Sequence, residues 1–177
     1  MAARSVILSL VVGLAPHTGE AYDWVARLCP GQTCDNPEFP LMDWDGKGCI
    51  CRQHPCWDDD GQQHSCAPET PFLAFDYMSD GKLACSCRKF PHYGSVYIGK
   101  ELCPGESCDS ESAPILDYDD RERKCACQSH PCWHDKGLEH TCDDPEFPVL
   151  TFTRKEDETL HCGCSRKPDP PGRGREL

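Results

Sequence analysis

The chain has 177 residues, sixteen of them cysteine, and a formal net charge of −12 from 30 acidic and 18 basic side chains. That acid excess argues against a nucleic-acid partner or an anionic membrane, because a phosphate-binding surface needs clustered Lys and Arg. From Tyr22 onward, Leu, Ile, Val and Phe number only 22 of 156 residues, too few for apolar burial alone to hold a strongly charged chain of this length.

The N-terminus sets Arg4 before an apolar run over residues 6–15, and then the small residues Gly19 and Ala21. This is the layout of a secretory signal, expected to occupy residues 1–21. The run is shorter than the about 20 residues a bilayer crossing needs, so no stable membrane insertion is expected. A secreted chain meets an oxidising compartment, where an even number of cysteines forms a disulfide framework.

Beyond the signal, one pattern recurs four times: a pair of cysteines, a proline, an apolar and aromatic stretch, then Cys-x-Cys-x-x-x-Pro. The cysteines are Cys29, Cys34, Cys49 and Cys51 in the first quarter, and Cys56, Cys66, Cys85 and Cys87 in the second. The third holds Cys103, Cys108, Cys125 and Cys127; the fourth holds Cys132, Cys142, Cys162 and Cys164. Such a period marks a small structural unit copied in tandem. The pattern relaxes after Lys89, so the chain divides into two similar modules, 22–91 and 92–164. The tail 165–177, rich in Pro, Gly and Arg, is expected to be disordered.

Within each quarter the residues after the proline alternate. Leu73, Phe75 and Tyr77 share one face of an extended strand, and the same register groups Met42 with Trp44, Leu116 with Tyr118 and Leu150 with Phe152. Turn signals follow: Asp45-Gly46, Asp80-Gly81, Arg121-Glu122 and Glu156-Asp157. Each quarter is thus expected to form a β-hairpin whose return strand carries Cys-x-Cys and ends before its proline. A spacing of two turns both sulfurs to one face, so each favours a separate partner. Helix signals are sparse. A turn or two is expected over 22–28, while its counterpart 96–102 contains Gly99 and reads as extended. The fold class is a small disulfide-rich protein, mostly β or irregular, of four tandem β-hairpin quarter-repeats in two similar halves.

Acids gather at Asp58, Asp59 and Asp60; at Asp117, Asp119 and Asp120; at Asp143 and Asp144; and at Glu156, Asp157 and Glu158. These read as solvated, solubilising loops. None has the alternating spacing and terminal Glu of a calcium loop.

One constellation goes beyond the staples. His54, Cys56, His64 and Cys66 recur at the same spacing as His130, Cys132, His140 and Cys142, and two imidazoles with two thiolates make a tetrahedral zinc set. A disulfide-bonded sulfur cannot be a thiolate ligand, so in an oxidising compartment the bridged state is the expectation and zinc the alternative cofactor. The Cys56-x9-Cys66 spacing resembles the twin Cys-x9-Cys modules of the mitochondrial intermembrane space, which are helical hairpins. Gly61 and Gly137 interrupt the corresponding segments and no second pair adjoins them, so the resemblance stops at spacing. Redox activity at the Cys-x-Cys elements is disfavoured, since thiolates need an electropositive setting and acids surround these cysteines.

Trp57 and Trp133 each follow a cysteine and are expected to pack on a bridge, with an exposed binding anchor as the alternative. The terminal Gly-Arg-Glu-Leu resembles an ER-retention tetrapeptide but carries Arg175 where Asp is usual. No catalytic constellation emerges. The expectation is a non-enzymatic binding or structural module, secreted or ER-lumenal, with an unidentified protein or extracellular ligand as partner. The zinc-binding protein and a thiol–disulfide exchange factor of the secretory pathway follow as second and third readings.

Overall fold

Four separate antiparallel hairpins, one per quarter, make up the regular structure of the computed structural model, which describes residues 24–57, 64–135 and 140–167. The expected signal, the acids Asp58 to Asp60 and the terminal Gly-Arg-Glu-Leu lie outside the described residues. The strands are β1 (Leu41–Trp44) with β2 (Cys49–Arg52), β3 (Phe72–Tyr77) with β4 (Leu83–Arg88), β5 (Ile115–Asp119) with β6 (Lys124–Gln128), and β7 (Val149–Arg154) with β8 (Leu160–Ser165). β8 therefore extends to Ser165, one residue into the segment read as tail.

A two-stranded ribbon is marginal in water by itself, and the register shows what reinforces these. Each Cys-x-Cys cysteine lies directly across the ladder from an apolar or aromatic residue. Met42 faces Cys51 and Trp44 faces Cys49, Leu73 faces Cys87 and Phe75 faces Cys85, and the same holds in β5–β6 and β7–β8. Sulfurs and rings thus share one face. From it, each quarter bonds its first opening cysteine to the first of the Cys-x-Cys pair and its second to the second: Cys29–Cys49 with Cys34–Cys51, Cys56–Cys85 with Cys66–Cys87, Cys103–Cys125 with Cys108–Cys127, and Cys132–Cys162 with Cys142–Cys164. No cysteine is free. The bonded residues are 17 to 30 positions apart, and one such loop can contribute about 3 kcal/mol by restricting the unfolded chain.

The hairpin tips are capped by their own aspartates. The Asp45 carboxylate accepts from the Lys47 and Gly48 amides, Asp80 from Lys82, Asp119 from Arg121 and Glu122, and Asp157 from Thr159. The tips of β3–β4 and β7–β8 share one three-residue loop. Met78 closes on Lys82 as Lys155 closes on Thr159, and Gly81 at φ +80° occupies the slot that Glu158 fills at φ +66°.

Two segments depart from the sequence reading. The helix α1 (Trp24–Leu28) falls within 22–28 as expected, but its counterpart over 96–102 is helical rather than extended, ending in the π-helical turn Ile98–Leu102. Gly99, the residue that argued against a helix, is buried, and a side chain built there would start 3.5 Å from the Tyr77 ring. Gly99 thus packs against β3, and the Ser95 hydroxyl accepts from the Ile98 amide to start the turn. The second departure is Asp117. It is 2% exposed within β5 instead of sitting in a solvated loop, and Asp43 of β1 is 0% exposed.

These two aspartates join the halves. Asp43 accepts from the Ser95 hydroxyl at 2.7 Å and the Tyr97 amide at 3.3 Å, both across the division, and pairs with Arg52 at 2.8 Å. Asp117 accepts from the Trp24 amide at 3.3 Å. Arg88 donates to the Cys108 carbonyl and pairs with Asp76 and Asp109. The small core straddles the same seam: Cys56 and Phe75 of the first half bury Val96 of the second, with Leu41, Leu73, Tyr77 and Leu83 packed around them. No described helix is long and apolar enough to cross a membrane.

Candidate functional site

The histidine–cysteine sets are the chemically richest residues in the sequence, and the repeat builds both in the same way. Pro55 and Pro131 open a short 3-10 turn, Pro55–Trp57 in one half and Pro131–Trp133 in the other, and the preceding histidine caps it. Nδ1 of His54 accepts from the Cys56 amide at 3.2 Å, and Nδ1 of His130 accepts from the Cys132 amide at 3.2 Å. His54 Nε2 lies 3.2 Å from the Leu73 carbonyl. A carbonyl can only accept, so the Nε2–H tautomer satisfies both ring nitrogens at once.

Both rings are enclosed by aromatics. His54 stands edge-on to Phe75 at 5.4 Å and beside Trp57 at 5.7 Å; His130 stands edge-on to Phe152 at 5.2 Å, with Trp133 at 5.8 Å and Tyr93 at 4.6 Å. Burial pushes each imidazole down to about 4, and the nearby His64 and His140 respectively disfavour a second positive charge. His92, edge-on to Phe75 on the other side, is pushed down by burial to about 3. These rings are neutral at physiological pH, and those of His54 and His130 serve as packed caps.

The structure therefore does bring His54 near His64 and His130 near His140. Their four sulfurs, however, are held in bridges: Cys56 with Cys85, Cys66 with Cys87, Cys132 with Cys162 and Cys142 with Cys164. In that bonded state none offers a thiolate. A different trio, Asp135, His140 and Cys162, has ligand atoms within 4.8 Å of one another. Its sulfur is also bridged, which leaves one carboxylate and one imidazole 3.7 Å apart.

Trp57 is 3% exposed, and Trp133 is half-buried against His130. Each packs beside the histidine that caps its turn, Trp57 on His54 and Trp133 on His130. What projects are the four capped tips. Hydrogen bonds from the Gly48 and Lys47 amides hold the Asp45 carboxyl below the usual range; those from Glu122 and Arg121 do the same for Asp119. Lys82 does so for Asp80, and Thr159 for Asp157. Each tip presents a fixed negative charge beside a basic residue: Lys47, Lys82, Lys124 or Lys155.

An open groove of about 570 Å³ lies between the second and fourth quarters, lined by Pro71, Phe72, Pro145, Pro148, Arg166 and Lys167 among others. Lys167 sits over the Phe72 ring and Arg166 over Phe147. Sequence reasoning missed the seam aspartates. A signal for them existed: Asp43 and Asp117 hold the middle of the strand in quarters one and three, where quarters two and four have Ala74 and Thr151. Comparison with known proteins finds no matching family model, no matching curated protein and no matching solved structure.

Proposed function

We propose that the protein is a disulfide-stapled, non-enzymatic binding or structural module of the secretory pathway or extracellular space, whose four capped hairpin tips are the elements it presents to a protein or extracellular ligand. One observation carries the reading: all sixteen sulfurs close into eight bridges, each confined to its own quarter. Bridges at this density suit an oxidising compartment and a chain too poor in apolar residues to fold without them. The tips then project from short, cross-linked bases, so binding loses little conformational freedom.

A count of free thiols tests this. Protein expressed with its own N-terminus in a secretory host should leave the cell or reside in its lumen, lack residues 1–21, and show no alkylatable thiol in denaturant. Four or more thiols with bound metal would replace the proposal with the zinc reading. Two labile thiols would replace it with disulfide exchange.

A further inference from the structure

Four of the hydrogen bonds between the halves form two matched pairs. The Trp24 amide reaches Asp117 in the other half, and the Tyr97 amide reaches Asp43. The Gly31 amide donates to the Arg154 carbonyl, and the Gly105 amide donates to the Tyr77 carbonyl at 2.7 Å. Gly31 and Gly105 hold one repeat position, as do Arg154 and Tyr77, and as do the two aspartates. Exchanging the halves converts each contact into the other, which is the signature of an isologous, two-fold interface.

The segments that make these contacts differ by one residue, yet they keep the correspondence. Trp24 lies five positions before Cys29, and Tyr97 lies six before Cys103. The extra residue is absorbed where the second segment widens into its π-helical turn, in which the Cys103 amide reaches back to the Ile98 carbonyl. Trp24 and Tyr97 thereby meet each other, stacked at 5.5 Å with planes 2° apart. A residue touching its own equivalent sits on the axis of a two-fold pair.

We propose that the half-module is a self-pairing unit, whose seam of helical turn and buried strand aspartate fits a second copy of the half, and that this chain is such a pair joined by its backbone. This goes beyond the functional reading above and does not depend on it. An isolated half would strip Asp43 of its Ser95 and Tyr97 donors and uncover the apolar surface that now surrounds Val96. Re-association of the two halves restores both, and in a pair of first halves the Trp24 amide takes the place of Tyr97, with Tyr22 and Asp23 at the positions of Ser95 and Val96. No bridge crosses the division, so only the connecting backbone holds the halves together covalently.

The test begins from the full chain with a protease site inserted after Lys89, folded and oxidised before it is cut. The two fragments are expected to co-elute at the mass of the uncut protein in native buffer and to separate in urea. On removal of urea, each purified fragment alone should form a homodimer. Native separation of the fragments, or fragments that remain monomeric after refolding with their bridges intact, would overturn the proposal. In the cut protein, Asp43→Ala combined with Asp117→Ala should weaken association at least tenfold on dilution, and unchanged association would remove the aspartates from the seam's mechanism. Amide exchange in the uncut chain is the independent check: the Trp24 and Tyr97 amides should be protected together, and free exchange at both would contradict the pairing.

Discussion

His54, His92 and His130 carry the clearest pH dependence in the molecule, because the first and last are buried and His92 half-buried as neutral rings, with affinities for protons pushed far below that of a free imidazole. An unfolded histidine titrates near pH 6.5. The unfolded chain therefore binds these protons first as pH falls, and stability declines from about 6.5 down to the folded values of about 4 and about 3. Asp45, Asp80, Asp119 and Asp157 are shifted down as well, but from the carboxyl range: their contribution is present above that range and is lost only as pH falls below it. The window between pH 6.5 and 4 thus belongs to the histidines. Urea unfolding of the oxidised protein should show stability falling by several kcal/mol across that window, and His54→Asn with His130→Asn should flatten the slope, since an amide can cap the turn without titrating. A flat wild-type profile would show that the rings are not buried neutral. A second residue-scale expectation concerns Glu158, which adopts the left-handed conformation that Gly81 takes in the equivalent tip. Left-handed backbone costs a residue with a Cβ about 1 kcal/mol, and the exposed Arg27–Glu158 pair at 3.7 Å offsets little of it. Glu158→Gly should therefore raise the unfolding midpoint in urea, and a lower midpoint would refute the strain argument.

Each hairpin has an inner bridge and an outer one, and access separates them. Cys29, Cys56, Cys103 and Cys132 on the inner bridges are at most 2% exposed, whereas Cys51, Cys87, Cys127 and Cys164 on the outer bridges are exposed. Thiol attack needs a path to sulfur. Brief treatment with a small phosphine followed by alkylation and peptide mapping should label Cys51, Cys87 and Cys164 first. Cys127 should lag, because its partner Cys108 is 1% exposed; early labelling of Cys56 or Cys132 would contradict the order. These hairpins were legible in the sequence because a strand's two-residue alternation, Asp-Gly turns and Cys-x-Cys spacing are all local signals. The helical segment over 96–102 was not. Gly99 is unfavourable in a helix by intrinsic propensity, and it is tertiary contact that overrides it: Asp43 of another quarter holds the Tyr97 amide, and Gly99 lies against Tyr77. Asp117 was misread for a similar reason. With Asp119 and Asp120 it looks like a solvated run, although strand alternation places it opposite to Leu116 and Tyr118, on the face that the Trp24 amide covers. The histidine–cysteine sets were visible as spacings, but spacing cannot tell a ligand from a cap; the enclosing aromatics and the bridges decide that.

At the scale of the whole molecule, the bridges hold each quarter and the seam holds the quarters together, and these two functions can be separated by experiment. With so little apolar surface, the hairpins depend on their bridges, so full reduction should abolish amide protection in all four at once. Protection that survives in reductant would mean the core is stronger than its composition implies. With bridges intact, the linkage between halves runs through Val96, which is 7% exposed and lies against Phe75 and Cys56 of the other half. Val96→Ala removes two buried methyl groups, worth about 2 kcal/mol at roughly 0.8 kcal/mol per buried carbon with a small cavity term added. If the halves were independent, that loss would appear only in protection of the second half. Because the core straddles the division, the β3 and β4 amides should lose as much protection as those of β5 and β6, and urea unfolding should remain a single transition with a lower midpoint. Two transitions, or a loss confined to residues after Tyr93, would show instead that the halves fold as separate bodies and merely touch.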